Sequence, residues 1–283
     1  MEQKVIVSSG ATSGIGFEAI KKLLSEGHYV IAIGRNKEKI EKASQLLLES
    51  VPNAKFDFVC SDLSTINGVL KAVEDIKKYT DKIDVLLNVA GAISGWYIQT
   101  EEGIELQFAT NHLGPYRLTY NLMPLLTEGA RVINVTSESH RGAKIYFNDV
   151  CLKYNYHSLR AYKQSKLANV MFTLGLRQKF SNKVHALSFD PGLMSTEIGL
   201  KGGKPLEKAV WRFRMWQGKD PSVAGFHLAE MAVNDKYINS NDFYFRLGIP
   251  MRPTRRALEP ESIQKIWQIS AKMSGFNEDW SRA

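Results

Sequence analysis

The sequence lacks most of the features that mark a specialised class of protein. Its 283 residues include only two cysteines, Cys60 and Cys151, which lie far apart and match no metal-ligand spacing. We therefore predict a reducing compartment, no disulfide framework and no metal site. No internal repeat or low-complexity segment is visible, and the length suits one large α/β domain or two small ones.

Long apolar runs are also missing. No stretch approaches the roughly 18 apolar residues that a membrane span requires. The chain runs from Met1 directly into a strand-like segment, without the charged and apolar regions of a signal peptide. We expect a cytoplasmic protein with no stable membrane anchor.

Dense blocks of positive charge are absent too, although the formal net charge is +8. A basic balance suits a nucleic acid, a membrane surface or an anionic cofactor. Because the cations are scattered along the chain, we expect no nucleic-acid partner. A small-molecule substrate is the expected partner, and nothing in the composition excludes a homo-oligomer.

The first positive signal is a glycine-rich turn between a strand and a helix. A β-branched run over residues 4–9 leads into the turn, and helical periodicity follows over residues 17–26. Backbone N–H groups and a helix N-terminus at such a turn favour a pyrophosphate. The spacing is Gly-x-x-x-Gly-x-Gly, and a tight connection without a ligand is the structural alternative. The candidate cofactor contacts are Gly10, Thr12, Ser13, Gly14, Ile15 and Gly16.

The second strand ends without the acidic residue that would accept a hydrogen bond from a ribose 2′-hydroxyl. Arg35 and Lys37 stand there instead, with Asn36 between them as a further candidate cofactor contact. A guanidinium is always charged and binds a 2′-phosphate bidentately, so we predict NADP as cofactor in preference to NAD. The alternative is that Lys37, Glu38 and Lys39 only form the solvated start of the next helix.

Strand-like runs alternate with helical segments along the chain. This order predicts an α/β fold, namely a single Rossmann-like domain with a doubly wound, mostly parallel sheet and helices on both faces. Ligands of such sheets bind beyond the carboxyl ends of the strands. The predicted strands are residues 4–9, 28–34, 54–59, 83–88, 131–136, 183–189 and 242–246.

Further candidate cofactor contacts follow the third and fourth strands. Asp62 and Leu63 come after the third strand, and Asp62 is placed to face an adenine amine. Its alternative role is that of a helix N-cap before Ser64. The fourth strand ends in the motif that contains Asn88, Ala90 and Gly91.

Tyr162 and Lys166 are four residues apart in a helical segment, which places both on one face. A phenol ionises near pH 10, but a fixed ammonium one turn away moves its pKa toward neutrality. Such a tyrosine can exchange a proton with a carbonyl oxygen or a hydroxyl. The alternative is a solvated helix face.

These motifs, and the order in which they occur along residues 4–196, resemble those of the short-chain dehydrogenase/reductase superfamily. Within it, the chain resembles the retinol dehydrogenase and protochlorophyllide reductase branch. That finer resemblance rests on residues 109–114, on the long gap from Ser137 to Tyr162 and on the tail at residues 266–270. Ser9 and Val89 depart from the threonine and asparagine usual at those positions.

The resemblance implies catalytic roles for four residues. Asn111 would hold a water that bridges to Lys166, although an exposed polar position is its alternative. Ser137, in preference to the nearby Ser139, would hydrogen-bond the substrate oxygen while Tyr162 carries the proton. Lys166 would also hold the nicotinamide ribose.

The resemblance also implies how the cofactor ring is covered. Pro191 and Gly192 would lie over the nicotinamide, and Thr196 would contact its carboxamide. The contacts of Tyr162 and Lys166 complete the expected cofactor site.

Substrate binding is assigned to a lid segment of about residues 193–258 inserted in the domain. Its amphipathic helix at residues 205–217 bears Trp211, Phe213, Met215 and Trp216. That helix is a lid, a stripe packed on the core or a membrane-surface helix. Three tyrosines in the 138–157 loop, namely Tyr146, Tyr154 and Tyr156, either line a substrate mouth or pack on the surface.

We therefore expect an NADP(H)-dependent oxidoreductase that transfers hydride between nicotinamide and a carbonyl or alcohol carbon of a sizeable apolar molecule. One alternative is reduction of a C=C or C=N bond with the same residues. The other is a non-catalytic NADP-binding protein, against which the complete set of Asn111, Ser137, Tyr162 and Lys166 argues.

Overall fold

The computed structural model describes residues 2–195 and 218–280. There the strands form one eight-stranded sheet in the order β3-β2-β1-β4-β5-β6-β7-β8, and only the β7–β8 pair is antiparallel. This arrangement confirms the predicted α/β, mostly parallel fold. The strands are β1 Val5–Ser9, β2 Tyr29–Gly34, β3 Phe56–Cys60, β4 Ile83–Asn88, β5 Leu126–Val135, β6 Val184–Asp190, β7 Tyr244–Arg246 and β8 Ile249–Pro250.

Helices cover both faces of the sheet, as neighbouring residues of β1 demonstrate. Ile6 packs in the cluster under α1, α2 and α7, whereas Val7 packs in the cluster under α3, α5, α6 and α8. Successive strand side chains point to opposite faces, so each strand contributes to both cores. The helices are α1 Gly14–Ser25, α2 Lys37–Ser50, α3 Ile66–Lys77, α4 Leu106–Phe108, α5 Gly114–Leu122, α6 Ser158–Phe180, α7 Pro221–Val233 and α8 Pro260–Ser274.

The strand order reverses at β1. Ile6 of β1 is paired with Val30 of β2 on one side and with Val85 of β4 on the other. The chain thus winds outward in both directions from β1. Connections leave the carboxyl ends of β1 and β4 toward opposite faces, which opens a crevice at this edge of the sheet.

The helical segment that contains Asn111 is not continuous. It begins at Leu106, and a π turn at Ala109–Leu113 separates α4 from α5. Pro115 explains part of this difference, because it has no N–H to donate to the carbonyl of Asn111. That carbonyl instead accepts from Asn169 Nδ2 of α6 at 2.7 Å. Such single π turns are frequent at functional sites.

The C-terminal elements were not anticipated in detail. Strand β8 was not predicted, and β7 begins at Tyr244 rather than at residue 242. Helix α8 packs Trp267 against an aromatic cluster that includes Tyr116 of α5 and Phe172 of α6. These long-range contacts fasten the tail to the face of the sheet that carries α5 and α6.

Candidate active site

The glycine turn between β1 and α1 is pressed against the end of β4. Gly10 has a φ of +67°, and a Cβ there would lie 2.7 Å from the backbone nitrogen of Ala90. A Cβ on Gly16 would collide with the carbonyl oxygen of Gly10. The Ser9 hydroxyl accepts the N–H groups of Val89 and Ala90 at 3.0 and 3.1 Å. Only glycine fits these two positions without a shift of the backbone.

The N-terminus of α1 offers hydrogen-bond donors at this turn. Ser13 is the N-cap but makes no side-chain capping bond, and the first turn, which begins with Gly14 and Ile15, has no acidic residue. The first N–H groups of a helix have no partner within it, and the helix dipole favours an anion there. The turn and the helix end therefore fit the pyrophosphate of a dinucleotide.

Two predicted cofactor contacts lie at the end of β2. Arg35 follows the strand directly, and its side chain is exposed. Asn36 is the N-cap of α2, where its Oδ1 accepts the Lys39 N–H at 2.8 Å. The guanidinium thus extends from a backbone position fixed by the neighbouring cap.

Asp62 has a local partner in the turn after β3. Its Oδ1 accepts the Ser64 N–H at 2.9 Å, whereas Thr65 is the N-cap of α3. Asp62 therefore stabilises the turn before the helix without capping the helix itself. Leu63, which follows it, is buried in the core.

Asn88 has a structural role that its motif did not suggest. Its buried Nδ2 donates to Asn134 Oδ1 at 2.9 Å and to Thr119 Oγ1 at 3.2 Å. These bonds tie β4 to β5 and to α5. Ala90 and Gly91, by contrast, are partly exposed beside the glycine turn.

Asn111 lies in the π turn and is fully buried. Its Oδ1 accepts the Ala92 N–H at 2.6 Å, and its Nδ2 donates to the Ala92 carbonyl and to Ser165 Oγ, both at 3.0 Å. The exposed alternative for Asn111 is therefore wrong. The side chain connects the loop after β4 to the residue that precedes Lys166.

Ser137 is two residues beyond the end of β5. Its Oγ accepts the Ser139 N–H at 3.2 Å and caps the 3₁₀ helix Glu138–Gly142. A hydroxyl that accepts one bond can still donate its hydrogen to another oxygen. Ser139 contributes its backbone to this cap.

Tyr162 and Lys166 both lie near the start of α6, with the Lys166 ammonium 5.7 Å from the centroid of the Tyr162 ring. Lys166 Nζ donates to the Val135 carbonyl at the end of β5 at 3.0 Å. Only 3% of Lys166 is exposed. The alternative of a solvated helix face is therefore wrong for Lys166.

Burial determines the ionisation of Lys166. Loss of water lowers its pKa to about 8, and the nearby negative charge of Asp190 opposes this change. The side chain is therefore mostly protonated at neutral pH.

Asp190 was missed as a site residue. It ends β6, is fully buried and accepts the Gly192 N–H at 2.9 Å and the Tyr244 hydroxyl at 2.8 Å. Its carboxylate thus fixes the turn that contains Pro191 and Gly192. A carboxylate at the last position of a strand, directly before Pro191 and Gly192, was the available sequence signal.

His140 extends this buried network to Ser137. Its Nε2 accepts the Thr254 N–H at 3.1 Å, so Nδ1 carries the hydrogen and donates to the Ser137 carbonyl at 2.8 Å. Burial lowers the pKa of His140, which favours this neutral form. The Tyr244 hydroxyl lies 3.4 Å from the same Nδ1. The backbone at Ser137 and the turn at Gly192 are therefore linked through side chains.

The three loop tyrosines have different environments. Tyr156 donates to the Ser94 carbonyl at 2.7 Å, and Tyr154 is 86% exposed. Tyr146 lies between two cations, Lys144 and Arg160. Thr196 and the aromatic helix expected at residues 205–217 lie outside the described residues.

Residues 2–195 and 218–280 contain no helix long and apolar enough to cross a membrane. The same residues contain no group of three or more His, Cys, Asp or Glu that could hold a metal ion. Cys60 and Cys151 are both free thiols.

The sequence matches known proteins over most of its length. The family model described as short chain dehydrogenase matches residues 4–204. Retinol dehydrogenase 12 of Mus musculus is 30% identical, with 96% of this chain and 87% of that protein covered. Retinol dehydrogenase 13 of Homo sapiens is 28% identical, with 96% and 85% covered. The solved structure of an uncharacterised protein from Mycobacterium paratuberculosis aligns with a TM-score of 0.74 and 26% identity, covering 97% of this chain and 94% of that one.

Proposed function

Because this chain belongs to the short-chain dehydrogenase family, within its retinol dehydrogenase-like branch, we propose that it is an NADP(H)-dependent oxidoreductase. The reaction is transfer of hydride to or from a carbonyl or alcohol carbon. The family binds a nicotinamide cofactor, and this chain's glycine turn and uncapped helix end fit one.

The observation that carries the proposal is the Tyr162–Lys166 pair, in which Lys166 is buried and Tyr162 is half-buried. Lys166 is held by the Val135 carbonyl, two residues before Ser137, and its ammonium lies 5.7 Å from the Tyr162 ring centroid. A hydroxyl and a phenol with an ammonium beside its ring therefore occur near the end of β5, at the carboxyl edge of the sheet. This is the combination that a developing alkoxide requires.

In the direction of reduction, each of these side chains has one task. Ser137 donates a hydrogen bond to the substrate carbonyl oxygen, and Tyr162 gives that oxygen its proton. Lys166 stabilises the resulting phenolate through its charge, and it would also hold the nicotinamide ribose when the cofactor is bound. Asn111 supports a water that returns a proton through Lys166. The bound cofactor supplies the hydride.

Cofactor preference rests on Arg35 and Asn36 at the end of β2. NAD-binding chains place a carboxylate at the end of the second strand, and this chain has none there. The exposed Arg35 guanidinium follows the strand instead. Gly10, Thr12 and Ser13 would face the pyrophosphate, and Asp62 and Leu63 the adenine. Pro191 and Gly192, held by Asp190, would cover the nicotinamide.

The proposed substrate is a sizeable apolar alcohol or its carbonyl counterpart. Trp96 and Ile98 lie in the segment between β4 and α4 and are 59% and 43% exposed. Two relatives are named for retinol, which is a long apolar alcohol. We assign substrate binding to these residues and to the segment of about residues 193–258.

The test is turnover by purified protein with separate panels of apolar aldehydes, enones and imines. Each panel is run with NADPH and with NADH. We expect aldehyde reduction with NADPH to be fastest. Faster reduction of enones or imines would assign the other reductase chemistry. NADPH binding without turnover on any panel would favour a non-catalytic protein.

A further inference from the structure

A second cleft lies beside the proposed active site and takes no part in the mechanism above. Its volume is about 390 Å³, and it lies between the end of the Glu138–Gly142 helix, the following loop and the first turns of α6. Lys163 of its wall is adjacent in sequence to Tyr162. The lining residues are Gly142, Ala143, Lys144, Tyr146, His157, Leu159, Arg160, Lys163 and Arg256.

Four of these residues are cations: Lys144, Arg160, Lys163 and Arg256. The two guanidinium groups are fixed by oxygen atoms of uncharged groups. Arg160 donates to the carbonyl and side-chain oxygens of Asn155, both at 2.6 Å, and Arg256 donates to the Ala143 carbonyl at 2.9 Å. A guanidinium has five N–H donors, so both keep donors for a further acceptor.

The carboxylates nearest in sequence are engaged elsewhere. Glu138 forms ion pairs with Arg141 and Arg246. Asp149 accepts two backbone N–H groups of its own loop. Glu259 accepts the Ser262 hydroxyl and lines an adjoining smaller cleft. Within the described parts of the chain, no carboxylate forms an ion pair with any of the four cations, although Glu259 lines the adjoining cleft together with Lys144 and Arg256.

Two further features favour an anion at this position. The Tyr146 ring has the Lys144 ammonium 4.6 Å and the Arg160 guanidinium 5.6 Å from its centroid, which holds both charges in place. His157, the N-cap of the 23-residue helix α6, makes no side-chain capping bond, and the first turn has no acidic residue. The positive end of the helix dipole therefore adds to the four cations.

We propose that this cleft is a binding site for a phosphate-bearing ligand. Planar guanidinium groups bind phosphate oxygens bidentately, and the lysines add point charges. The phosphate belongs either to a small phosphorylated metabolite or to a phospholipid headgroup. The site is separate from the one that holds the cofactor pyrophosphate, which lies at the N-terminus of α1.

The test is calorimetric titration of the full chain with inorganic pyrophosphate. Saturating NADP fills the cofactor site first, and chloride at equal ionic strength controls for screening. The variants are Lys163→Gln and Arg256→Gln. Arg255→Gln is the matched control, because this neighbouring arginine is exposed and does not line the cleft.

We expect pyrophosphate to bind the NADP-loaded protein and the Arg255→Gln control equally. Each cleft variant should bind about tenfold more weakly, as expected for loss of one charge-assisted contact. No binding to the loaded protein, or equal binding to all variants, would overturn the proposal. The variants change exposed or half-buried side chains, and unchanged melting temperatures would verify that they fold.

A second measurement separates the two sources of phosphate. Phosphatidylcholine vesicles are prepared with and without phosphatidic acid, and sedimentation of the NADP-loaded protein is compared. Sedimentation that requires phosphatidic acid and is lost in Arg256→Gln identifies a lipid headgroup. Calorimetric binding without sedimentation identifies a small phosphorylated molecule.

Discussion

The two halves of the proposed active site are built in different ways. The cofactor cradle is made of backbone, since a Cβ at Gly10 or at Gly16 would collide with neighbouring backbone atoms. The proton site is made of buried side chains from distant segments, such as Asn111 with Ala92 and Asp190 with Tyr244. A short local motif therefore specifies the first half, whereas the second depends on the completed fold.

The largest expected effect is on the side-chain half. Tyr162→Phe should lower kcat by about 10²–10⁴-fold, because the proton donor is removed. NADPH affinity, measured by fluorescence titration, should stay nearly the same. Tyr154→Phe is the control, as that tyrosine lies in the loop before α6 and is 86% exposed. Unchanged turnover would remove Tyr162 from the mechanism.

The backbone half is tested by Gly10→Ala. The new Cβ would lie 2.7 Å from the Ala90 nitrogen at a φ of +67°. We expect a loss of about 1–3 kcal/mol in the free energy of unfolding and NADPH binding that is about tenfold weaker or worse. Gly27→Ala is the control, because its φ is +84° but a Cβ there meets nothing within 4 Å. It should lose stability and keep NADPH affinity.

A smaller effect is expected at the edge of the cradle. Arg35→Asp removes the charge proposed to bind the 2′-phosphate, so NADPH should bind about tenfold more weakly. NADH affinity should be kept or improved. Lys39→Asp makes the same charge change at an exposed position of α2 and should leave both affinities alone. Equal NADPH affinity in Arg35→Asp would disprove the cofactor assignment.

The smallest expected effect is a shift in the pH dependence of kcat when Asp190, a positioning residue, is replaced. Its negative charge opposes the burial that lowers the pKa of Lys166 to about 8. In Asp190→Asn, Lys166 should lose its proton at lower pH, so the alkaline fall in kcat should move to lower pH. Tyr244→Phe removes the hydrogen bond to Asp190 but keeps the charge. An alkaline limb that moves equally in both variants would indicate a structural role only.

The difference between the backbone half and the side-chain half also explains which features could be predicted from the sequence. The parallel strands and the glycine turn carry local patterns, and the structure confirms them. The π turn at Ala109–Leu113 and the buried partners of Asp190 carry none, because each depends on residues far away in sequence. The buried hydrogen bond from Asn88, at the end of β4, to Asn134 of β5 was missed for the same reason.

The convergence of charged side chains in space was equally hard to predict. Arg256 is exposed, and it lines the cationic cleft together with residues from α6, more than 90 positions earlier. Scattered cations in a sequence can thus converge in space, because the tail returns across the start of α6.

Pro115 is not among the proposed catalytic residues, yet it bears on how α6 is held. Since its ring nitrogen has no hydrogen, the Asn111 carbonyl is left for Asn169, which lies one helical turn beyond Lys166. That bond joins α6 to the π turn. An atom that proline lacks therefore leaves an oxygen available to anchor the helix that carries the proposed proton donor, and a residue at position 115 able to complete the regular ladder would compete for the same oxygen.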